Sequence, residues 1–347
     1  MRVNADELQK FGAALLIAYG VEAAQAQSVA ANLTWCELVG RINFGFQRLP
    51  VHLKRLKLGV LKGDCKPQFN KIAESAERLD GDSGFGHYIG ELAMKRAVDL
   101  AQKTGIGLVG VKNSNFFGAG AYFANMAAQA GMIGLAMSNS FPKVVAHGGL
   151  KPVLGTNPFA FGAPRRNGEH LLIDMATSAL AGSTVREHIE KNKPLPSRFA
   201  VDGAGLPITD ATKVADGALL PFGGPKGFAL GLMVEMLAGV LTSASVGSGV
   251  ASMYNDFSRS GDNGHFILAL DIKRWMDLEE YYARFEALIA AIKASGTEVL
   301  LPGEIRWKNY RQALRSGIAL QADTISKVSD YAKGVGLTTL WVASSTA

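Results

Sequence analysis

Apolar positions recur along this chain first at helical spacing and later in short runs. Asn4 stands where an N-cap belongs, Asp6 and Glu7 fill a first turn, and Leu8, Phe11, Leu15 and Leu16 share a face, so the spacing predicts an N-terminal helix. A second helix is predicted from Val21 to about Val39, ended by Gly40, and a third begins near Pro50 after the polar junction GRINFGFQR. Ile89, Leu92, Ala93, Ala97 and Leu100 then predict a helix behind LDGDSGFGHYIG. Beyond it the pattern alternates: strand 106–111, helix 119–130, strand 132–137, a long glycine-containing loop, and strands 159–163 and 171–174. The polar stretch 182–216, with Pro194, Pro196 and Pro207, reads as an excursion over the surface. A glycine turn and apolar helix follow in LLPFGGPKGFALGLMVEMLAGVL, then a strand at 265–271 and helices at 277–294 and 323–333.

This order implies α/β layering in which buried strands deliver polar residues at their ends, where binding sites form. The expected division is a mostly helical part over 1–75 and 275–347 and an α/β part over 76–274. With 347 residues, 48% of them apolar, the chain can bury a large core. Two cysteines, Cys36 and Cys65, exclude a disulfide framework, and with no signal-peptide pattern at the start they point to a reducing, cytoplasmic setting. The apolar region from Phe228 to Val240 is interrupted by glycines and Glu235 and falls short of the roughly 20 residues that cross a bilayer, so no membrane partner is expected. The net charge of +6 is scattered rather than striped with aromatics, which favours small anions over nucleic acid. No motif points to a metal.

Two glycine clusters and one arginine cluster carry candidate chemistry. In LDGDSGFGHYIG the spacing is G-x-G-x-x-x-G, charged residues precede it, and the next strand ends in Lys112 and Asn113 rather than an acid, so it is not the Rossmann fingerprint. Gly223, Gly224 and Gly227 around Pro225 and Lys226 read either as a phosphate seat at a helix start or as a flexible turn. Arg41, Asn43, Gln47 and Arg48 read either as a substrate contact or as a helix-connecting loop.

Taken together, LDGDSGFG, VKNSNFFGAGAYFA, MSNS, LGTNPFAF, LIDMATS, LPFGGPKGFALGL, SMYNDF, GHFILALD and LPGE are similar, in order and spacing, to the type 2 malate/L-lactate dehydrogenase family over residues 5–340. The resemblance implies that family's own α/β fold, with a mixed central sheet and an N-terminal helical region. It implies NAD or NADP as cofactor, a small 2-oxo or 2-hydroxy carboxylate or cyclic ketimine acid as substrate, and a homodimer. It places Ser140, Asp174, Met175, Ala176, Gly224, Lys226, Gly227, Pro302, Gly303 and Glu304 at the dinucleotide, Thr156 and Asn157 at the nicotinamide pocket, and Arg48 at the substrate carboxylate.

The proton-transfer side departs from the family. Where it shows D-S-H-G and S-N-H-F-G, this chain has Ile42, Asn43, Phe44, Gly45 and Ser114, Asn115, Phe116, Phe117, Gly118. Both family histidines are thus Phe44 and Phe116, and Thr184 stands where lysine is frequent. Three accounts absorb the change. Another side chain supplies the proton, with His147, His87 or Tyr122 as candidates. Alternatively the substrate is a cyclic imine that arrives protonated, its cation stabilised by Asp174, or the chain is a non-catalytic dinucleotide-binding relative.

Overall fold

The computed structural model describes residues 2–180, 184–185, 188–189 and 191–341. The predicted cap is present: the Asn4 side-chain oxygen accepts from the N–H groups of Asp6 and Glu7 at 2.8 and 3.3 Å, an arrangement worth about 1 kcal/mol. It starts α1 (Ala5–Ala18), which α2 (Ala23–Leu38) follows. Two short 3₁₀ turns, Ile42–Phe44 and Phe46–Arg48, then lead into α3 (Leu49–Lys57), with Pro50 in its first turn.

A seven-stranded sheet forms the centre. Its strands are β1 (Gln68–Ala73), β2 (Ala76–Asp80), β3 (Ile106–Ser114), β4 (Met132–Ser138), β5 (Phe159–Ala163), β6 (Leu171–Met175) and β7 (Asn263–Asp271), in the spatial order β1-β2-β3-β7-β4-β5-β6. Only β2 and β3 pair in parallel. Antiparallel pairing elsewhere nonetheless makes β2, β3, β4 and β6 run the same way. Their C-terminal ends therefore open at one edge of the sheet, where ligands of layered α/β proteins bind.

Helices α4 (Gly86–Thr104) and α5 (Gly120–Gln129) pack on one face through Ala93, Ala97, Phe123 and Ala127. The other face carries α6 (Pro225–Glu235) and the wider π turn Met236–Val240, through Val234 and Ala238. Close approach is enforced on both faces. A Cβ on Gly107 would lie 1.8 Å from the Ala97 carbonyl oxygen, and one on Gly264 would lie 1.7 Å from that of Ala238. After α7 (Leu278–Ala294), α8 (Glu304–Ser316) packs on α2, and α9 (Ala322–Lys333) closes the N-terminal helical core through Val328 and Ala332.

Three departures from expectation have local causes. The sheet begins at Gln68, inside the stretch assigned to the helical part. A strand does precede the first glycine cluster, because β2 alternates: Glu77 and Leu79 point inward, and Glu77 is paired with Arg96. The described part of 182–216 is no loose excursion. Leu195, Ala200, Ile208, Ala211 and Val214 bury a small core beside a four-stranded sheet formed by 144–145, 152–154, 200–201 and 218–219. Residues 181–183, 186, 187 and 190 lie outside the described residues.

Three of the four buried histidines among the described residues are almost fully enclosed. His265 is held between Ser114 Oγ at 2.8 Å and Ser138 Oγ at 2.9 Å, and stacks on Phe117. His52 and His87 meet edge to face at 5.0 Å. Burial pushes His87 and His265 down to about 3 and His52 well below the ordinary value. A histidine depressed in the folded state takes up its proton first on unfolding, so its contribution is present above about pH 6.5 and is lost as pH falls towards 3. Glu37, pushed up to about 7 by burial, acts oppositely over the upper part of that window. By pH 5 His87 and His265 each account for roughly 2 kcal/mol, His52 acts in the same direction, and Glu37 offsets about one of them. The melting temperature is therefore expected to fall on going from pH 7 to pH 5, with net proton uptake on unfolding. A melting temperature constant or rising across that interval would contradict neutral burial of these rings.

Candidate active site

Four of the parallel strand ends bring the expected residues to one edge. The β2 end does so without offering a phosphate seat. A Cβ on Gly86 would lie 2.0 Å from the Asn115 carbonyl oxygen and 2.6 Å from the Phe116 carbonyl carbon, so the start of α4 is covered by the loop that follows β3. Glycine there serves packing, and the loop it receives carries Phe116.

The substrate side is built from the junction before α3. A Cβ on Gly45 would lie 2.2 Å from Glu37 Oε1, which instead accepts the Phe46 N–H at 2.8 Å and fixes the turn between the two 3₁₀ segments. Arg48 is thereby drawn inward and is 5% exposed, with its Nε donating to the Asn43 carbonyl at 2.6 Å. Its guanidinium lies 5.2 Å from the centre of the Tyr254 ring, a cation–π distance. Beside it Phe44 and Phe116 stack at 6.0 Å with an angle of 24°. Both are half-buried. Behind Phe116 lie His52 and His87, with ring centres 6.1 and 5.9 Å away.

The cofactor side is tied together by Asn157, whose φ of +32° places it in left-handed backbone and whose side chain is fully buried. Its Oδ1 accepts the Ser140 N–H at 3.1 Å, while Nδ2 donates to Gly231 O at 3.0 Å and to Glu235 Oε2 at 2.7 Å. Ser140 Oγ accepts the Thr156 N–H at 3.0 Å, and the Thr156 carbonyl accepts from both the N–H and hydroxyl of Thr177. Thr177 O in turn accepts the Phe222 N–H at 3.0 Å, directly before the second glycine cluster. The β4 end, the 154–158 loop, the β6 end and the α6 start thus form one hydrogen-bonded unit.

At its rim, Gly223 and Gly224 have φ of +57° and +63°, Pro225 opens α6, and Lys226 is exposed in the first turn. Outward N–H groups, an exposed ammonium and glycine backbone match the donor set a dinucleotide phosphate requires. Gly227 has another reason: a Cβ there would lie 2.3 Å from Phe222 O. Met175 is exposed and Ala176 half-buried at the β6 end. Asp174 is inward, its carboxylate 3.6 Å from the buried Arg306 guanidinium. Gly303, with φ of +101°, starts α8. The Pro302 carbonyl accepts from Leu172 N–H. Glu304 turns back to Lys293 Nζ and Leu301 N–H at 2.6 and 3.1 Å. Burial opposes that carboxylate, yet these donors hold it below the usual range.

The candidate proton donors separate. His147 is exposed, its ring 3.6 Å from the Cβ position of Gly224 and so beside the α6 start. His87 is sealed in the core, and neither ring nitrogen has a hydrogen-bond partner among the described residues. Tyr122 packs on Trp35, and burial together with Glu91 pushes its hydroxyl well up. Thr184 is half-buried. Sequence patterns overlooked Tyr254, Arg55, Glu235 and Arg306. Of these, Glu235 left a signal as one carboxylate inside an apolar helix, and Tyr254 lies within the SMYNDF motif.

Comparison with known proteins agrees with this geometry. The malate/L-lactate dehydrogenase family model matches residues 3–329. A malate/(S)-sulfolactate dehydrogenase of Methanothermus fervidus is 33% identical over 341 residues, covering 98% of this chain and 100% of that protein. A Δ1-pyrroline-2-carboxylate/Δ1-piperideine-2-carboxylate reductase of Pseudomonas aeruginosa is 33% identical over 323 residues, covering 92% of this chain and 96% of that protein. Among solved structures, sulfolactate dehydrogenase from Methanocaldococcus jannaschii superposes with a TM-score of 0.91 at 30% identity, over 97% of this chain and 98% of its own. With its fold and nearly its whole length matched, the chain belongs to the malate/L-lactate dehydrogenase family.

Proposed function

We propose that the protein is an NAD(P)-dependent oxidoreductase that interconverts a small 2-oxo carboxylate and its 2-hydroxy acid. The observation that carries this is the juxtaposition of a buried arginine clamp with the hydrogen-bonded Ser140–Thr156–Asn157–Thr177 unit, linked through Tyr254 and Phe141 at 6.2 Å. When bound, nicotinamide supplies or accepts a hydride. The residues around it bind and orient: Lys226 and the α6 start face its phosphates, with Gly224 and His147 beside them. Ser140, Thr156, Asp174, Met175 and Ala176 line the ring and ribose side, and Pro302 and Gly303 close the far wall. Arg306 offsets the Asp174 charge, which supports a dinucleotide contact for Asp174. The substrate carboxylate pairs with Arg48, for which a planar guanidinium is suited.

A second reading rests on one observation, the Phe44–Phe116 stack. Two aromatic faces beside an arginine fit a cyclic imine acid, which arrives protonated and needs no acid from the protein.

The protein acts as a homodimer in the cytoplasm. Helix α6 and its π extension are apolar nearly all round, yet Leu232, Met233, Met236, Val240 and Leu241 are exposed. Such a helix is normally covered, and a second copy of the same stripe does so symmetrically. The free, buried Cys36 and Cys65 fit a reducing interior.

Two experiments check these assignments. NAD(P)H consumption measured with pyruvate, oxaloacetate, Δ1-pyrroline-2-carboxylate and Δ1-piperideine-2-carboxylate is expected to show turnover of the 2-oxo acids, whereas imine turnover alone would favour the second reading. In the same assay Arg48→Ala is expected to lower kcat/KM about 100-fold or more through the substrate KM, with cofactor KM within twofold. Equal effects on both would remove Arg48 from the carboxylate. Sedimentation should give twice the chain mass of 36.8 kDa, and Met236→Glu should shift it to monomer. A monomeric wild type would contradict the dimer.

A further inference from the structure

We propose that the Tyr254 hydroxyl is the proton donor for the 2-oxo acid held by Arg48, replacing the histidines that Phe44 and Phe116 displace. This rests on the hydride-transfer reading above and assigns it a missing part.

Three features converge on this residue. Its ring lies 5.2 Å from the Arg48 guanidinium and 6.2 Å from the ring of Phe141, the neighbour of Ser140, so it touches both the carboxylate clamp and the loop assigned to nicotinamide. It is 39% exposed, so water can restore a proton given away. Its loop is also held by the helix that begins at the clamp. Arg55, 2% exposed on α3, donates to the Asp256 and Arg259 carbonyls at 2.6 and 2.8 Å, and Lys54 Nζ lies 4.0 Å from the Phe257 ring centre. Within the loop, Asp256 N–H donates to Ser252 O at 3.0 Å, and Ser252 Oγ accepts the Tyr254 and Asn255 N–H groups at 3.3 Å. Arg259 Nε reaches Asp256 Oδ2 at 2.9 Å. An aromatic residue in a surface loop is thus placed with the precision of the helix that carries Arg48.

The competing groups lack one or another of these features. His52 and His87 contact Phe116 from its buried side and are 2% and 0% exposed. Tyr122 faces Trp35 and Glu91 rather than Arg48.

The step balances. The oxo carbon gains a hydride from the reduced dinucleotide, the π pair of the C=O bond moves to oxygen, and that oxygen takes the phenolic proton. One C–H and one O–H bond form and the tyrosine O–H bond breaks. The acid is reduced by two electrons, the dinucleotide is oxidised, and the phenolate recovers a proton from water. Tyrosine is an accepted general acid in such transfers.

The test compares wild type with Tyr254→Phe, which keeps the ring on Arg48 and removes only the hydroxyl. With the faster of pyruvate and oxaloacetate, kcat is expected to fall about 10²–10⁴-fold, while calorimetric affinity for NAD(P)H stays within twofold. With reduced cofactor present, oxamate, which has an oxygen at the substrate position, should bind about tenfold more weakly to the variant, and propionate, which lacks it, equally to both. A variant with kcat within threefold of wild type and unchanged oxamate affinity overturns the tyrosine role alone. A wild type that reduces only the cyclic imines also overturns it, since such a substrate needs no donor. A wild type that binds cofactor but neither reduces the 2-oxo acids nor binds oxamate overturns the function itself, and the tyrosine role with it.

Discussion

One buried carboxylate sets the shape of the cofactor side. Glu235, 5% exposed and facing the sheet from the end of α6, receives Asn157 Nδ2 at 2.7 Å, the Gly247 N–H at 2.8 Å and Asn139 Nδ2 at 3.5 Å. Asn139 also donates to Ser245 O and accepts from Gly264 N–H, so the ends of β4 and β7 are drawn into the same network. A polar group this deep is tolerated because donors converge on it, and removing one leaves a desolvated acceptor at a cost of about 1–3 kcal/mol. Left-handed backbone at Asn157 costs about 1 kcal/mol or more, which the five side-chain hydrogen bonds of Glu235 and Asn157 offset. The expected nicotinamide-side residues, Ser140, Thr156 and Asn157, are therefore consequences of one network.

The substrate side depends on a different constraint. Gly45 yields space to Glu37, the chain turns twice in 3₁₀ geometry, and α3 begins with Arg48 already buried. Two turns further on, the same helix presents Arg55 to the 252–259 loop. One helix thus holds both Arg48, at its start, and the loop that carries Tyr254. Phe44 and Phe116 make the surface beside Arg48 apolar.

Much of the architecture was legible in the chain because it follows periodicity: the Asn4 cap, the central strands and most of the long helices stand within a few residues of expectation, while α8 was not expected. The mixed sheet and the family fold followed from motif order. What periodicity could not reveal depends on tertiary pairing. Strand β2 reads as charged because its inward Glu77 is neutralised by Arg96, which is 19 residues away. The short strands around 144–154 and 200–219 are too brief to announce themselves. Tyr254 and Arg306 are ordinary surface-type residues in sequence and acquire a role only through distant partners, Arg48 and Asp174. The glycines of LDGDSGFG could be set aside as a nucleotide motif from spacing, but the purpose of Gly86, admitting the Phe116 loop, shows only in the fold.

The central claim is that this scaffold performs hydride transfer between the two sides with Phe44 and Phe116 beside Arg48. Its most direct measurement is mass spectrometry of the product formed from pyruvate or oxaloacetate with NAD(P)H deuterated at the transferring face of C4. The account predicts one deuterium in the hydroxy acid, carried on C2, and an equivalent of oxidised dinucleotide. Bound cofactor that returns its deuterium untransferred, with every 2-oxo and 2-imino acid recovered unchanged, would contradict it.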